Sequence, residues 1–264
     1  MSNVLEINLT GNQISQHTGE PSHFPELYKC VIEQIEDFEK AKNKNVSLKD
    51  FISMIEKTAE LLEKYHACYI NKLKDSGNSS CEEIERNKKD YAKHINVFKG
   101  DIFEVFAEVF FGIPGFTSHI ENYKCITEND FGVDGFGKAK NSNPEGFNVA
   151  VQVKYRKNLT EKITWEDLAK TAAIAFGAGF VDAGKPKNIW LFTSSEGANR
   201  QAQNAFKAVL NDNLRVIGRK EIDNTLKKHT SDSFFRVHFV PAVKRYFLLH
   251  DMHDVKNFKE RLPQ

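Results

Sequence analysis

Asn148-Val149-Ala150-Val151-Gln152-Val153-Lys154-Tyr155 is the stretch on which the fold turns. Valines recur at a period of two, the pattern of a β-strand. Gln152 and Lys154 stand two positions apart, so both side chains leave the strand on one face while Val151 and Val153 leave it on the other.

Outward from this strand, extended and helical patterns alternate. Residues 164–178 read as a helix with Thr164 as N-cap and Asp167 three positions later. Residues 188–194 (NIWLFTS) read as an apolar strand, 196–211 as an Ala-rich helix and 214–218 as a further short strand. Upstream, 101–111 (DIFEVFAEVFF) reads as a short apolar helix beginning after Gly100, with Glu104 and Glu108 one turn apart on one face. The run GIPGF ends it, and the turn-rich ENDFGVDGFG follows. Strands interleaved with helices predict an α/β core built on a central sheet flanked by helices.

The first hundred residues are of another kind. From 24 to 97 the chain is rich in Glu, Lys, Leu and Ile with almost no Gly or Pro. Within 47–70, Leu48, Phe51, Ile52, Ile55, Ala59, Leu62, Tyr65 and Tyr69 recur at spacings of three and four, the period of an amphipathic helix. Ser47 is placed to cap it, with Asp50 as an acidic relative of the capping-box residue. Segments 24–41 and 82–97 repeat the pattern more weakly. The expectation is an α-helical module over 1–97, with a packing, dimerisation or DNA-docking role, and a catalytic domain over 98–264.

Composition narrows the class. The 264 residues are 40% hydrophobic and 28% charged, which excludes a disordered chain and a collagen-like fibre. No apolar run reaches the ~18 residues of a membrane span, and MSNVLEINLTGNQ lacks a basic segment followed by an apolar one, so a cytoplasmic location is expected. The four cysteines, Cys30, Cys68, Cys81 and Cys125, form no CxxC pair and point to neither a disulfide framework nor a thiolate zinc site. The net charge of +1 is a cancellation. Up to Asp134 there are 15 Lys+Arg against 23 Asp+Glu, a balance of −8; the remainder carries 22 against 13, a balance of +9. A basic C-terminal half suits a polyanion, because Lys and Arg displace counterions condensed on phosphates.

The residues that carry chemistry are Glu104, Asp134, Gln152 and Lys154. Asp134 lies in the Gly-flanked turn Gly132-Val133-Asp134-Gly135, where the backbone can bend and present a carboxylate. A hairpin joining this turn to the Gln152/Lys154 strand would bring two oxygen ligands and an ammonium together. Phosphodiester hydrolysis needs such a set: a hard cation such as Mg²⁺ on oxygen ligands, with a positive group beside the attacking water or the phosphate.

Gly100-Asp101-Ile102-Phe103-Glu104, Phe131-Gly132-Val133-Asp134-Gly135 and Val151-Gln152-Val153-Lys154-Tyr155-Arg156 together resemble the PD-(D/E)XK nuclease superfamily. Within it they are most similar to the Mrr-like restriction endonucleases, whose pattern is an FE helix, an xDG turn and a QxK strand. Ile189 to Ser194, followed by the Ala-rich helix, is similar to that family's continuation. The resemblance spans about residues 99–220 and implies a restriction-endonuclease-like core. It implies Asp134 as central metal ligand, Glu104 as auxiliary acidic ligand, Gln152 in the acidic position of the (D/E)xK motif and the Val153 carbonyl as a further ligand. Lys154 would orient the water and stabilise the charge developing at phosphorus. Two departures from the broader superfamily are visible. Glutamine is neutral at position 152, as it is in the Mrr-like branch, and Val133 stands where the PD proline would.

The resemblance further implies Mg²⁺ as cofactor, with Mn²⁺ able to substitute, double-stranded DNA as substrate, a homodimer as the simplest way to cut both strands, and a prokaryotic or viral origin. Arg156, Lys157 and Lys162, beside Lys154, suit phosphate contacts. The function expected is restriction-type DNA cleavage. The rivals are a homing, repair or junction-processing nuclease on the same fold and a catalytically silent DNA-binding module.

Other groups read as structural. Glu108 is an exposed helix carboxylate, Asp130 a turn-capping residue, and His250-Asp251-Met252-His253 surface polarity without a ligand set. Ser194-Ser195-Glu196 lacks a GxSxG elbow, and Gly177-Ala178-Gly179 has no Lys-Ser/Thr after it. Tyr155 and Trp165 read as core aromatics.

Overall fold

The computed structural model describes residues 34, 37, 47–77, 79–113, 119–125, 133–139, 149–169, 188–210, 214–229, 235–239 and 241–242. Two long helices come first, α1 (Leu48–Ser76) and α2 (Cys81–Phe111). Five strands then build one mixed sheet, in the order β1 (Ile120–Cys125), β2 (Gly135–Ala139), β3 (Val149–Lys154), β5 (Asn188–Thr193), β7 (Leu214–Ile217). β1, β2 and β3 pair antiparallel, whereas β3, β5 and β7 run parallel. A second, two-stranded parallel pair joins β4 (Lys162–Ile163) to β6 (Gly197–Ala198). Helices α3 (Arg200–Leu210) and α4 (Arg219–His229) and a π-helical turn (Phe235–Phe239) complete the described chain. The predicted class holds: the protein is α/β, with a mixed central sheet flanked by helices.

The alternation in β3 decides which layer lies where. Val149, Val151 and Val153, together with Trp190 and Phe192 of β5, are buried in a core shared with α1 and α2. Phenylalanines dominate it. Phe103, Phe106 and Phe110 of α2 all contact Phe192, and Phe51 of α1 stacks on Phe106 at 4.3 Å. Removing each such ring from water is worth roughly 1.5–3 kcal/mol, so this layer holds the helices to the sheet. The opposite face of the sheet packs a smaller core of Ile163, Leu168, Ile189, Leu191, Ala198 and Ala202.

The cap predicted for α1 is present. Ser47 Oγ accepts the Asp50 N–H, and the Ser47 N–H donates to the Asp50 carboxylate. Asp223 of α4 reaches back and accepts the Leu48 N–H at 2.8 Å. Gly77 closes α1 at φ 66°, a left-handed position that glycine takes without a Cβ penalty.

Four expectations are corrected. The short helix 101–111 and the weaker segment 82–97 are one helix: α2 runs unbroken through Gly100. Ile95, Phe98, Ile102 and Phe106 are all buried along one stripe, and that packing outweighs the ~1 kcal/mol cost of a mid-helix glycine. Residues 97 and 98, expected to separate two domains, lie inside α2, and the apolar face of α1 enters the same core as the sheet. The helix expected over 196–211 begins at Arg200, because Gly197 and Ala198 pair with β4 and Asn199 accepts the Ala202 N–H. The strand expected over 188–194 ends at Thr193. Residues 24–33, 170–178 and 250–253 and Asp130 lie outside the described residues, as do the side chains of Leu62, Tyr65 and Tyr69.

Candidate functional site

β2 and β3 are the arms of the expected hairpin. Gly135 faces Val151 and Phe136 faces Ala150, so Asp134, one residue before β2, comes level with Gln152. The Asp134 N–H donates to the Val151 carbonyl at 2.9 Å, and the Asp134 carboxylate accepts the Val153 N–H at 2.6 Å. Both Asp134 and Gln152 are buried, at 6% and 2% exposure. Strand parity puts Asp134, Gln152 and Lys154 on one face, the face opposite the phenylalanine core.

Gln152 Oε1 is buried and has no hydrogen-bond partner among the described residues. A buried amide oxygen left in this way costs about 1–3 kcal/mol, so it marks a place where a partner belongs. The N–H and C=O of one strand residue point to the same edge, and the Val153 N–H points at Asp134. The Val153 carbonyl therefore faces the β2 side, next to the carboxylate. Three oxygens, one of them charged, thus come from adjacent positions. Lys154 is partly buried, and among the described residues no carboxylate pairs with its ammonium.

Glu104 is partly buried on α2, one residue beyond Phe103, whose ring packs against Tyr155. It belongs to the layer that covers the Val151/Val153 face, whereas Gln152 and Lys154 point away from that layer. The described groups of His, Cys, Asp and Glu contain no cluster of three that would hold a metal ion on their own.

The carboxyl end of β3 is fixed by its neighbours. The Lys154 carbonyl accepts Thr193 Oγ1 at 3.0 Å and the Ser194 N–H at 3.3 Å. Ser194 Oγ accepts the Arg156 N–H at 2.6 Å and donates to the Arg156 carbonyl at 2.9 Å. Thr193 and Ser194 are fully buried, and their hydroxyls tie the end of β5 to the end of β3.

The three basic residues expected at DNA differ in their surroundings. Arg156 directs its guanidinium inward, to Asp167 at 2.5 Å, to Glu161 at 3.2 Å and to the Tyr155 carbonyl at 3.1 Å. Burial pushes the Asp167 carboxyl up, but its bonds to the Thr164 backbone and to Arg156 outweigh that and hold it below the usual range. Lys157 is 71% exposed and pairs with Glu56 at 2.8 Å. Lys162 is exposed on β4.

Glu56 carried no signal in the sequence. It lies on α1 at 12% exposure and gathers Lys157, Lys99 of α2 at 3.1 Å and the Tyr155 hydroxyl at 2.5 Å. Burial pushes its carboxyl up, and the three donors more than offset this, holding it below the usual carboxylate range. Tyr155 is pushed strongly up, by burial first and by Glu56 second, so its hydroxyl remains a donor throughout the neutral range. A Glu on a Lys- and Glu-rich helix reads as a solvated residue; only the meeting of three distant segments makes it a hub.

Compared with known proteins, the chain matches no family model, no curated protein and no solved structure.

Proposed function

We propose that the protein is a metal-dependent endodeoxyribonuclease with a restriction-endonuclease-like core, hydrolysing phosphodiester bonds of double-stranded DNA in a restriction-type role. One observation carries the reading: a buried carboxylate, Asp134, anchored beside a buried amide oxygen, Gln152 Oε1, that has no partner among the described residues. Lys154 follows on the same strand face.

The donors fit a hard cation. Asp134, Gln152 Oε1 and the Val153 carbonyl would hold Mg²⁺, or Mn²⁺ in its place; Glu104, in the layer over the opposite face of β3, is left out of this set. The ion would supply polarisation of a water and of the scissile phosphate. Asp134 contributes the negative charge at the sheet, and its bond to the Val153 N–H fixes where that charge sits. Lys154 orients the attacking water and stabilises charge developing on the phosphate oxygens. Lys157 and Lys162, both exposed, are the phosphate contacts of this reading. Two copies are the simplest arrangement for cutting both strands.

Plasmid cleavage tests it. Supercoiled plasmid incubated with the protein and Mg²⁺ should be cut, and both Asp134→Ala and Lys154→Ala should abolish cutting while DNA binding persists. The neutrality of Gln152 and the absence of a three-residue metal cluster among the described residues favour the alternative of a catalytically silent DNA-binding module. Intact plasmid under both Mg²⁺ and Mn²⁺, with DNA still bound, would decide for that alternative.

A further inference from the structure

We infer that Glu56 is a positioning residue: through Tyr155 and Lys157 it fixes the chain that carries Lys154, and so makes α1 part of the working site. The kinetic half of this inference rests on the nuclease reading; the anchoring half does not.

Tyr155 directly follows Lys154 and leaves the strand on the opposite face, where its ring packs edge-on against Phe103 at 5.9 Å. Its hydroxyl donates to Glu56 Oε1, while Lys157, two residues on, pairs with Glu56 Oε2 at 2.8 Å. Lys99 completes the set on Oε2 and is itself only 16% exposed. One carboxylate from a remote helix therefore holds two residues of a four-residue segment, and a lysine from α2 offsets the charge that this requires. On the β5 edge, the backbone of the same segment is held at Lys154 and Arg156 by Thr193 and Ser194. β5 fixes the height of the strand end. Glu56 fixes its roll about the strand axis, which decides where the Lys154 ammonium points.

A carboxylate is needed here. Two oxygens with about four acceptor positions can take three donors at once, whereas an amide would turn one N–H toward an ammonium. Glutamine preserves an acceptor for Tyr155 but fails the lysines; alanine fails all three.

The test uses the full chain in four forms: wild type, Glu56→Gln, Glu56→Ala and Tyr155→Phe. Amide hydrogen exchange of the peptide covering 153–157 should quicken about tenfold in Glu56→Ala and Tyr155→Phe, and less in Glu56→Gln, while exchange in the α2 core stays at the wild-type rate. Single-turnover cleavage of supercoiled plasmid should slow about 10- to 100-fold in Tyr155→Phe, with plasmid affinity changed by less than about twofold, because a small misplacement of Lys154 affects the chemical step and leaves binding intact. Glu56→Gln should recover part of the rate that Glu56→Ala loses. Unchanged exchange at 153–157, or a loss seen only in plasmid affinity, overturns the inference. If wild type itself leaves plasmid intact with Mg²⁺ and Mn²⁺, the nuclease reading fails and the exchange comparison alone decides the anchoring. Should Glu56→Ala not fold, Tyr155→Phe, which removes a single oxygen, carries the comparison.

Discussion

The carboxylate of Asp134 accepts the backbone N–H of Val153 at 2.6 Å, so the acidic residue is fastened to the strand between Gln152 and Lys154. The same bond gives Asp134 a structural role beside the metal-ligand role proposed for it, and two substitutions separate the two. Asp134→Asn keeps an acceptor oxygen and should leave thermal stability within about 1 kcal/mol, whereas Asp134→Ala strands the buried N–H and should cost about 1–3 kcal/mol. Both should lose the heat of Mn²⁺ binding in calorimetric titration. An Asn variant that titrates Mn²⁺ like wild type would remove Asp134 from the ligand set.

Gln152 presents the complementary case, an acceptor buried without a described partner. Gln152→Glu adds a carboxylate beside Asp134, and two like charges in a buried site repel. Without divalent cation this variant should melt below wild type; with millimolar Mg²⁺ its melting temperature should rise more than that of wild type, by linkage to the bound ion. A melting temperature indifferent to Mg²⁺ and Mn²⁺ in both forms would leave Gln152 without a metal to hold.

Arg156 and Lys162 both looked like phosphate contacts in the sequence, and their surroundings separate them. Arg156 is committed to Asp167 and Glu161, and Lys162 is exposed. Lys162→Ala should lower the slope of log affinity for duplex DNA against log salt by about 0.9, the contribution of one phosphate. Arg156→Ala should change that slope little and instead lower stability by about 1 kcal/mol, the scale of a partly exposed ion pair. Equal slope changes in the two variants would return Arg156 to the DNA surface.

Gly135 lies where the sheet leaves no room for a side chain. A Cβ there would come 2.4 Å from the Tyr123 hydroxyl and 2.6 Å from two ring carbons, and that ring is packed against Phe111 at 4.5 Å. Gly135→Ala should therefore cost about 1–3 kcal/mol by overpacking. Because the displaced backbone includes Asp134, Mn²⁺ affinity should fall as well, which a calorimetric titration at a temperature below the melting transition would detect. Wild-type stability in this variant would mean that β1 lies farther from β2 than the close approach of Tyr123 implies.

What the sequence revealed and what it hid have the same physical origin. The period-two alternation of β3, the Ser47–Asp50 cap and the placement of Asp134 opposite Gln152 all depend on residues close in the chain or joined by one hairpin, so local rules reach them. The continuity of α2 through Gly100 depends on a buried stripe that includes Ile95, Phe98 and Ile102, and a glycine weighs against it until the partner layer is known. Glu56 is harder still. Its partners come from residues 99, 155 and 157, and no local pattern distinguishes it from its exposed neighbours Lys57 and Glu60. The orientation of Arg156 depends likewise on where the helix beginning at 165 lays Asp167.

The depressed pKa of Glu56 gives its hub a signature in acid. Burial alone would raise it, but bonds from Lys157, Tyr155 and Lys99 prevail and lower it. A carboxyl whose folded pKa lies below its unfolded value, about 4.3 for glutamate, stabilises the fold fully above that value and ceases to do so as pH falls through the folded pKa. Wild type should therefore lose denaturant stability as pH falls below about 4.3 more steeply than Glu56→Gln, which has no proton to take up there. At neutral pH Glu56→Gln should be the less stable protein, since Lys99 and Lys157 lose their counter-charge. The two stability curves must then converge on acidification, and urea midpoints measured as pH falls would show it. Parallel curves would mean that Glu56 titrates alike in the folded and unfolded chains, which the three donors around it do not allow.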